Sequence, residues 1–221
     1  MPHHPRPAFV SFTGADRADL IDGMHRLAAA FPIEWGVLVH PDKAGQPLYP
    51  SEEELRAFRR SGLRLAAHIC GAPAQAVVEG RDPELSLGGV ARAQINHGFE
   101  GSSQAQIANA CAFGARRGVR PVLQCQGAFP ADQRVDWLYD VSFGAGVTPT
   151  SWPTVPSLPP FCGLSGGLGP DTAVDVLTRL SIADTTPFWI DMESGIRTDG
   201  AFDLEKCHSV CRAIYGEDAA P

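Results

Sequence analysis

Two short stretches concentrate residue types that can do chemistry. In DMESG, Asp191 and Glu193 stand two residues apart, so in extended chain both carboxylates face the same way and suit paired acid–base work. In HICG, His68 and Cys70 share that spacing and bring an imidazole to one face with a thiol. Asp140, in LYDVSFGAG, either exchanges a proton with a ligand or hydrogen-bonds the glycine-containing loop behind it. A third stretch suits an anion. CGLSGGLGPD sets Ser165, Gly166 and Gly167 ahead of Pro170 and Asp171, which open a helical pattern, and glycines there let backbone N–H groups approach a phosphate closely. Ser194 and Gly195 make a second small-residue turn directly after the two carboxylates.

Other chemistries are poorly supplied. Only two lysines occur, Lys43 and Lys206, and Lys43 is the one candidate for a Schiff base. His40, His68, His97, Asp140 and Asp191 are of metal-ligand type, but no short fixed spacing such as HExxH joins them, so neither metal nor cofactor is expected. The six cysteines lack zinc-finger spacing and sit in apolar segments as reduced core thiols; Cys207 and Cys211, at i and i+4, mark a buried helix face. A net charge of −7 argues against nucleic acid or an anionic membrane as partner. No apolar run approaches the ~20 residues that span a bilayer, and MPHHPRPAF lacks a secretory h-region, so a cytoplasmic protein is expected.

The elements that must position these residues recur along the chain. Strand-like runs fall at 8–12, 34–39, 63–69, 91–96, 120–125, 135–139, 160–164 and 187–191. Helical patterns occupy 16–30, 51–61 with Ser51 and Glu54 as a capping box, 103–117, 171–180 and 203–215; segment 141–159 is too rich in Pro, Thr, Ser and Gly for more than a turn. Alternating strands and helices need parallel neighbours. Eight such units in 221 residues predict an α/β fold, a single (β/α)8 TIM barrel with a parallel eight-stranded sheet, preceded by a flexible extension over 1–7.

In that fold the carboxyl ends of the strands share one mouth. They deliver Thr13 and Asp16, His40 and Lys43, His68 and Cys70, Asn96 and His97, Gln124 and Gln126, Asp140 and Ser142, Ser165 to Gly167, and Asp191 to Gly195. A small-molecule site is expected there, with Ser165, Gly166, Gly167, Ser194 and Gly195 cradling a phosphate. Trp35, Trp137 and Trp189 read as core, whereas Trp152 follows a glycine-containing loop and can stack on a ligand.

On these residues the chain resembles the phosphoribosylanthranilate isomerase family. LSGGLGPDTAVDVL is similar to that family's strand-7 phosphate motif, WIDMESGIRTDG to its strand-8 pattern, and VDWLYDVSFGAGVTPTSW to its strand-6 stretch; AQINHG and VHPDKAGQPLYPSEEEL resemble its strand-4 and strand-2 segments. The likeness is weak before residue 90 and more specific after 135. It implies a metal-free Amadori rearrangement of a phosphorylated sugar, with Asp140 as general acid. Substrate contacts are expected from Asp16, Gln94, Asn96, Gln124, Ser142, Gly144, Trp152, Asp191 and Glu193.

The chain departs from the pattern where the chemistry is done. The family's general-base cysteine falls on Thr13, and a hydroxyl is a poor base near neutrality. An arginine of the strand-2 loop is Leu48 here, and Glu193 replaces a usual serine. Cys70, with His68, can substitute for the missing thiol. The expected activity is therefore isomerase-like, in a monomer or homodimer acting on a phosphorylated small molecule. A ligand-binding barrel without turnover and a metal-assisted hydrolase or lyase remain as alternatives.

Overall fold

Alternation of β-branched runs with amphipathic stretches closes this chain into a ring. The computed structural model describes residues 4–98, 101–142 and 145–216. Eight parallel strands, β1 (Phe9–Thr13), β2 (Ile33–Val39), β3 (Leu65–Ile69), β4 (Arg92–Ile95), β5 (Arg120–Cys125), β6 (Asp136–Tyr139), β7 (Cys162–Ser165) and β8 (Phe188–Met192), pair in chain order. β8 then pairs with β1 and closes the barrel. The strands lie where the sequence pattern puts them, with ends moved by two residues at most.

Helices α1 (Ile21–Ala30), α2 (Glu52–Arg60), α3 (Ala72–Val78), α4 (Gln104–Arg117), α5 (Ala173–Arg179) and α6 (Leu204–Tyr215) follow β1, β2, β3, β4, β7 and β8. The Ser51–Glu54 capping box forms in both directions and starts α2, a contribution of about 1 kcal/mol. Two details differ from the sequence reading. The helix expected from residue 16 begins as a 3-10 turn at Ala18–Leu20. α3 was not expected; its seven residues bury Ala74, Ala76, Val77 and Val78, so the segment shows no polar face for a periodic pattern to reveal. Among the described residues the β5–β6 and β6–β7 connections carry no helix, as the composition of 141–159 suggests. The stretch expected to be a flexible extension is partly fixed: Pro5 and Pro7 are buried, and the Tyr215 hydroxyl donates to the Pro7 carbonyl at 3.1 Å.

The barrel interior is layered. At its amino-terminal end Glu34 of β2, Arg92 of β4 and Asp136 of β6, all buried, form an ionic chain. Arg92 holds Glu34 through Nε at 3.0 Å and Nη2 at 2.7 Å, and approaches Asp136 at 3.5 Å. Arg64 and Arg120 flank the chain at 3.2 Å and 2.8 Å, while Trp189 lies 4.1 Å under the Arg92 guanidinium. Side chains from alternate strands fill one layer in this way.

Two glycines make room for larger neighbours. A Cβ on Gly163 would fall 2.1 Å from the Trp189 ring, and one on Gly36 would fall 2.3 Å from the Thr13 hydroxyl. A buried charge stripped of its partner is costly, about 3–5 kcal/mol. Glu34→Gln leaves Arg92 and Arg64 undercompensated and is expected to lower the urea-unfolding free energy by roughly that amount; a loss below about 1 kcal/mol would show the ionic layer to be dispensable.

Candidate active site

At the opposite end, the carboxyl ends of the strands enclose a cavity of about 280 Å³. Of the residues singled out from sequence, His68, Cys70, Gln94, Asn96, Gln124, Asp140, Ser142, Ser165, Gly166, Gly167, Asp191, Glu193 and Ser194 line it. Strand alternation explains the grouping, because Asp191 and Glu193, His68 and Cys70, and Gln94 and Asn96 are each i,i+2 pairs on the inward face.

Asp191 sits at the centre of the polar contacts. The Thr13 hydroxyl donates to its Oδ1 at 2.7 Å, and His68 Nε2 lies 3.3 Å from the same hydroxyl. Since Thr13 has one proton and gives it to Asp191, His68 supplies the hydrogen of the second contact from Nε2. His68 is neutral, its pKa lowered to about 3 by burial and then by the charge of Arg92 below it. Burial pushes the Asp191 carboxyl up to about 7, with Glu193 and Asp140 adding to the rise and hydrogen bonds from Thr13 and Ser11 opposing it. Glu193 is likewise raised to about 7 by burial, against the pull of Arg197.

Asp140 occupies a different environment. Gln124 Nε2 donates to one of its oxygens at 2.9 Å, and the Ser142 N–H and hydroxyl donate to the other at 2.8 Å and 3.1 Å. Gln124 and Ser142 both act as donors here, so Asp140 is placed as their acceptor. Cys70 is not equipped to serve as a base. Burial raises its thiol pKa, and although Asn96 donates to the sulfur at 3.4 Å, the thiol form prevails.

The other end of the cavity is made of backbone. Among the described residues, the N–H groups of Gly166, Gly167, Leu168, Ser194 and Gly195 donate to no carbonyl. Gly167 has a φ of 61°, and the loop after β6 lies directly on it, where a Cβ would stand 2.9 Å from the Thr148 nitrogen. Gly195 packs against Leu168 and Gly169, joining the β7 and β8 loops. These loops form one small-residue wall that suits an anion.

Several expected site residues are elsewhere. Thr13 lies behind Asp191 rather than on the cavity wall, so it positions a carboxylate instead of meeting a ligand. Trp152 packs on Tyr139 with ring centres 5.9 Å apart and faces a separate surface cleft, which corrects its reading as a ligand-stacking group. Asp16 is bound to Arg197 at 2.9 Å and to the Leu48 N–H at 3.3 Å, a brace between the β1, β2 and β8 loops. Gly144 lies outside the described residues.

Sequence reasoning passed over Ser11, Leu38, Tyr49 and Arg197. Ser11 shares the inward face of β1 with Thr13 and could have been found by alternation; Arg197 acts across 181 positions of sequence and leaves no local signal. Among the described residues no group of three His, Cys, Asp or Glu side chains is placed to hold a metal ion.

The backbone has known counterparts. N-(5'-phosphoribosyl)anthranilate isomerase from Pyrococcus furiosus superposes with a TM-score of 0.58 at 14% identity, covering 93% of this chain and 98% of that one. Phosphoribosyl anthranilate isomerase from Thermococcus kodakaraensis gives 0.56 at 13% identity, covering 95% and 100%. At such identities the likeness establishes the fold. No protein-family model matches the chain, and no curated protein matches it.

The Asp191 carboxyl ties stability to pH. Its folded pKa of about 7 lies above the ordinary 3.8, so between those values the folded state binds more protons than the unfolded one and stability falls as pH rises. Asp191→Asn keeps an acceptor for Thr13 and removes the buried charge. It should match the wild type in urea unfolding near pH 4 and exceed it at pH 8 by on the order of a few kcal/mol. Equal stability at pH 8 would contradict a raised Asp191 pKa.

Proposed function

We propose that the protein is an acid–base isomerase of a small cyclic sugar phosphate, with Asp191 as proton donor and Asp140 as proton acceptor. One observation carries the reading: two carboxyls share a cavity in opposed settings. Asp191 is pushed up to about 7 by burial, and Asp140 accepts three hydrogen bonds. A buried carboxyl that holds its proton, beside a carboxyl that accepts hydrogen bonds, suits a proton donor and a proton acceptor. The roles are the reverse of the resemblance, in which Asp140 is the acid.

The backbone wall at Gly166, Gly167, Ser194 and Gly195 receives the phosphate and fixes the sugar beside the carboxyls. Asp191 gives its proton to the ring oxygen as the C1–O bond opens. Asp140 takes the C2 proton, and the released pair forms the C1–C2 double bond of an enediol; Asp140 then gives that proton to C1 while the C2 hydroxyl gives its own back to Asp191, leaving the C2 carbonyl of the ketose. Thr13 and neutral His68 are positioning residues that hold Asp191 at the cavity wall. The solved structures of similar fold are isomerases of a phosphoribosyl compound, which supports the same reaction class.

The test is proton exchange. Incubating the protein in D₂O with phosphorylated aldoses, and with phosphoribosylanthranilate, should place deuterium at C2 of recovered substrate or at C1 of the product. Asp140→Asn and Asp191→Asn should each lower kcat by about 100-fold or more. Because Asp191 works protonated, kcat should fall as pH rises through about 7. A kcat that rises through that range would make Asp191 the base; no exchange with any sugar phosphate would remove the isomerase reading.

A further inference from the structure

The cavity is lined by three carboxyl groups, those of Asp140, Asp191 and Glu193, and by no lysine or arginine among the described residues. The nearest cation, Arg197, is already committed: its guanidinium donates to Asp16 at 2.9 Å, to the Gly14 carbonyl at 3.0 Å and to the Gly200 carbonyl at 2.8 Å. Arg92 below is held by Glu34 and Asp136. Lys43 stays in the exposed β2 loop, 5.0 Å from the centre of the Tyr49 ring. Neutral His68 and the Cys70 thiol add no positive charge.

Glu193 carries the pattern furthest. Its carboxylate lines the cavity two residues beyond Asp191 and has neither a hydrogen bond nor an ion pair among the described residues. Buried charges in proteins are paired, protonated or completed by a ligand. A carboxylate-bearing ligand would place like charges together, and a neutral polyol would leave Glu193 without a counter-charge. An ammonium completes Glu193 through a charge-assisted hydrogen bond, with the Asp191 carboxyl beside it as a further acceptor.

We propose that the Asp191–Glu193 end of the cavity takes a positively charged amino group, so that the substrate is an amino sugar phosphate rather than a carboxylate-bearing one. The proposal rests on the sugar-phosphate reading for the far end of the molecule, but the amine contact is separable from it. Glu193 is the specificity-determining group, since Asp191 is also engaged by Thr13.

Calorimetry with four probes separates the two ends: glucosamine 6-phosphate, glucose 6-phosphate, glucosamine and glucose. At pH 6 glucosamine 6-phosphate should bind on the order of tenfold tighter than glucose 6-phosphate. It should also release protons, seen as a dependence of the heat on the buffer's ionisation enthalpy, because the ammonium draws Glu193 into its charged form while Asp191 keeps the proton it gives to the ring oxygen. That release should vanish at pH 8, above the value of about 7 to which Glu193 is raised. Glu193→Gln should abolish the preference while glucose 6-phosphate binds as well as before or better.

Equal affinities for the aminated and plain sugars, or a preference that survives Glu193→Gln, would overturn the proposal. If phosphate adds nothing to either sugar yet glucosamine still exceeds glucose in a Glu193-dependent way, the amine site stands and the phosphate wall falls. Should Glu193→Gln unfold, Glu193→Asp keeps the charge on a shorter arm and must retain proton release, and loss of release in that folded variant counts against the proposal.

Discussion

The guanidinium of Arg92 is a full charge inside a barrel, and much of the interior answers the need to neutralise it. Glu34 and Asp136 reach it from two other strands, and the Trp189 ring lies beneath it. Three strands are thereby tied across the ring independently of the backbone ladder. The same charge also acts upward. After burial, it is the second cause that keeps His68 neutral, and His68 Nε2 faces the Thr13 hydroxyl whose proton goes to Asp191.

The two ends of the barrel treat charge in opposite ways. At the floor every carboxylate has an arginine within 3.5 Å. At the mouth Asp140 is surrounded by neutral donors, and Asp191 and Glu193 are left with raised pKa values. The floor therefore stabilises the fold, whereas the mouth holds buried carboxyl groups whose ionisation is disfavoured. Stability and chemistry occupy separate layers of one interior, joined through Arg92 and His68.

Much of this could be read from the chain because barrel strands are short β-branched runs at regular spacing. All eight strands, the Ser51 cap and the grouping of polar residues at strand ends follow from period and composition. What escaped has identifiable causes. Glu34, Arg92 and Asp136 lie within strands, and nothing local shows that they meet across the barrel; the i,i+2 series Arg92, Gln94 and Asn96 is the available hint of a polar inward face. α3 is buried on too many sides to look amphipathic. Trp152 was placed by its neighbours in sequence, while its actual partner, Tyr139, is on a strand that it returns to cover. Thr13 was read as a lost base, and only its 2.7 Å contact shows that it holds the carboxylate beside it.

The close approach of Gly36 to Thr13 limits how such a mouth can diverge. The space that a Cβ at position 36 would need is filled by the Thr13 hydroxyl, so the two positions on neighbouring strands are sterically one unit. The same Cβ would stand 2.9 Å from the Thr13 Cα and Cβ, so no change of the Thr13 side chain alone makes room for a larger residue 36. The donor that orients Asp191 is thus seated by the missing side chain of a residue on the neighbouring strand.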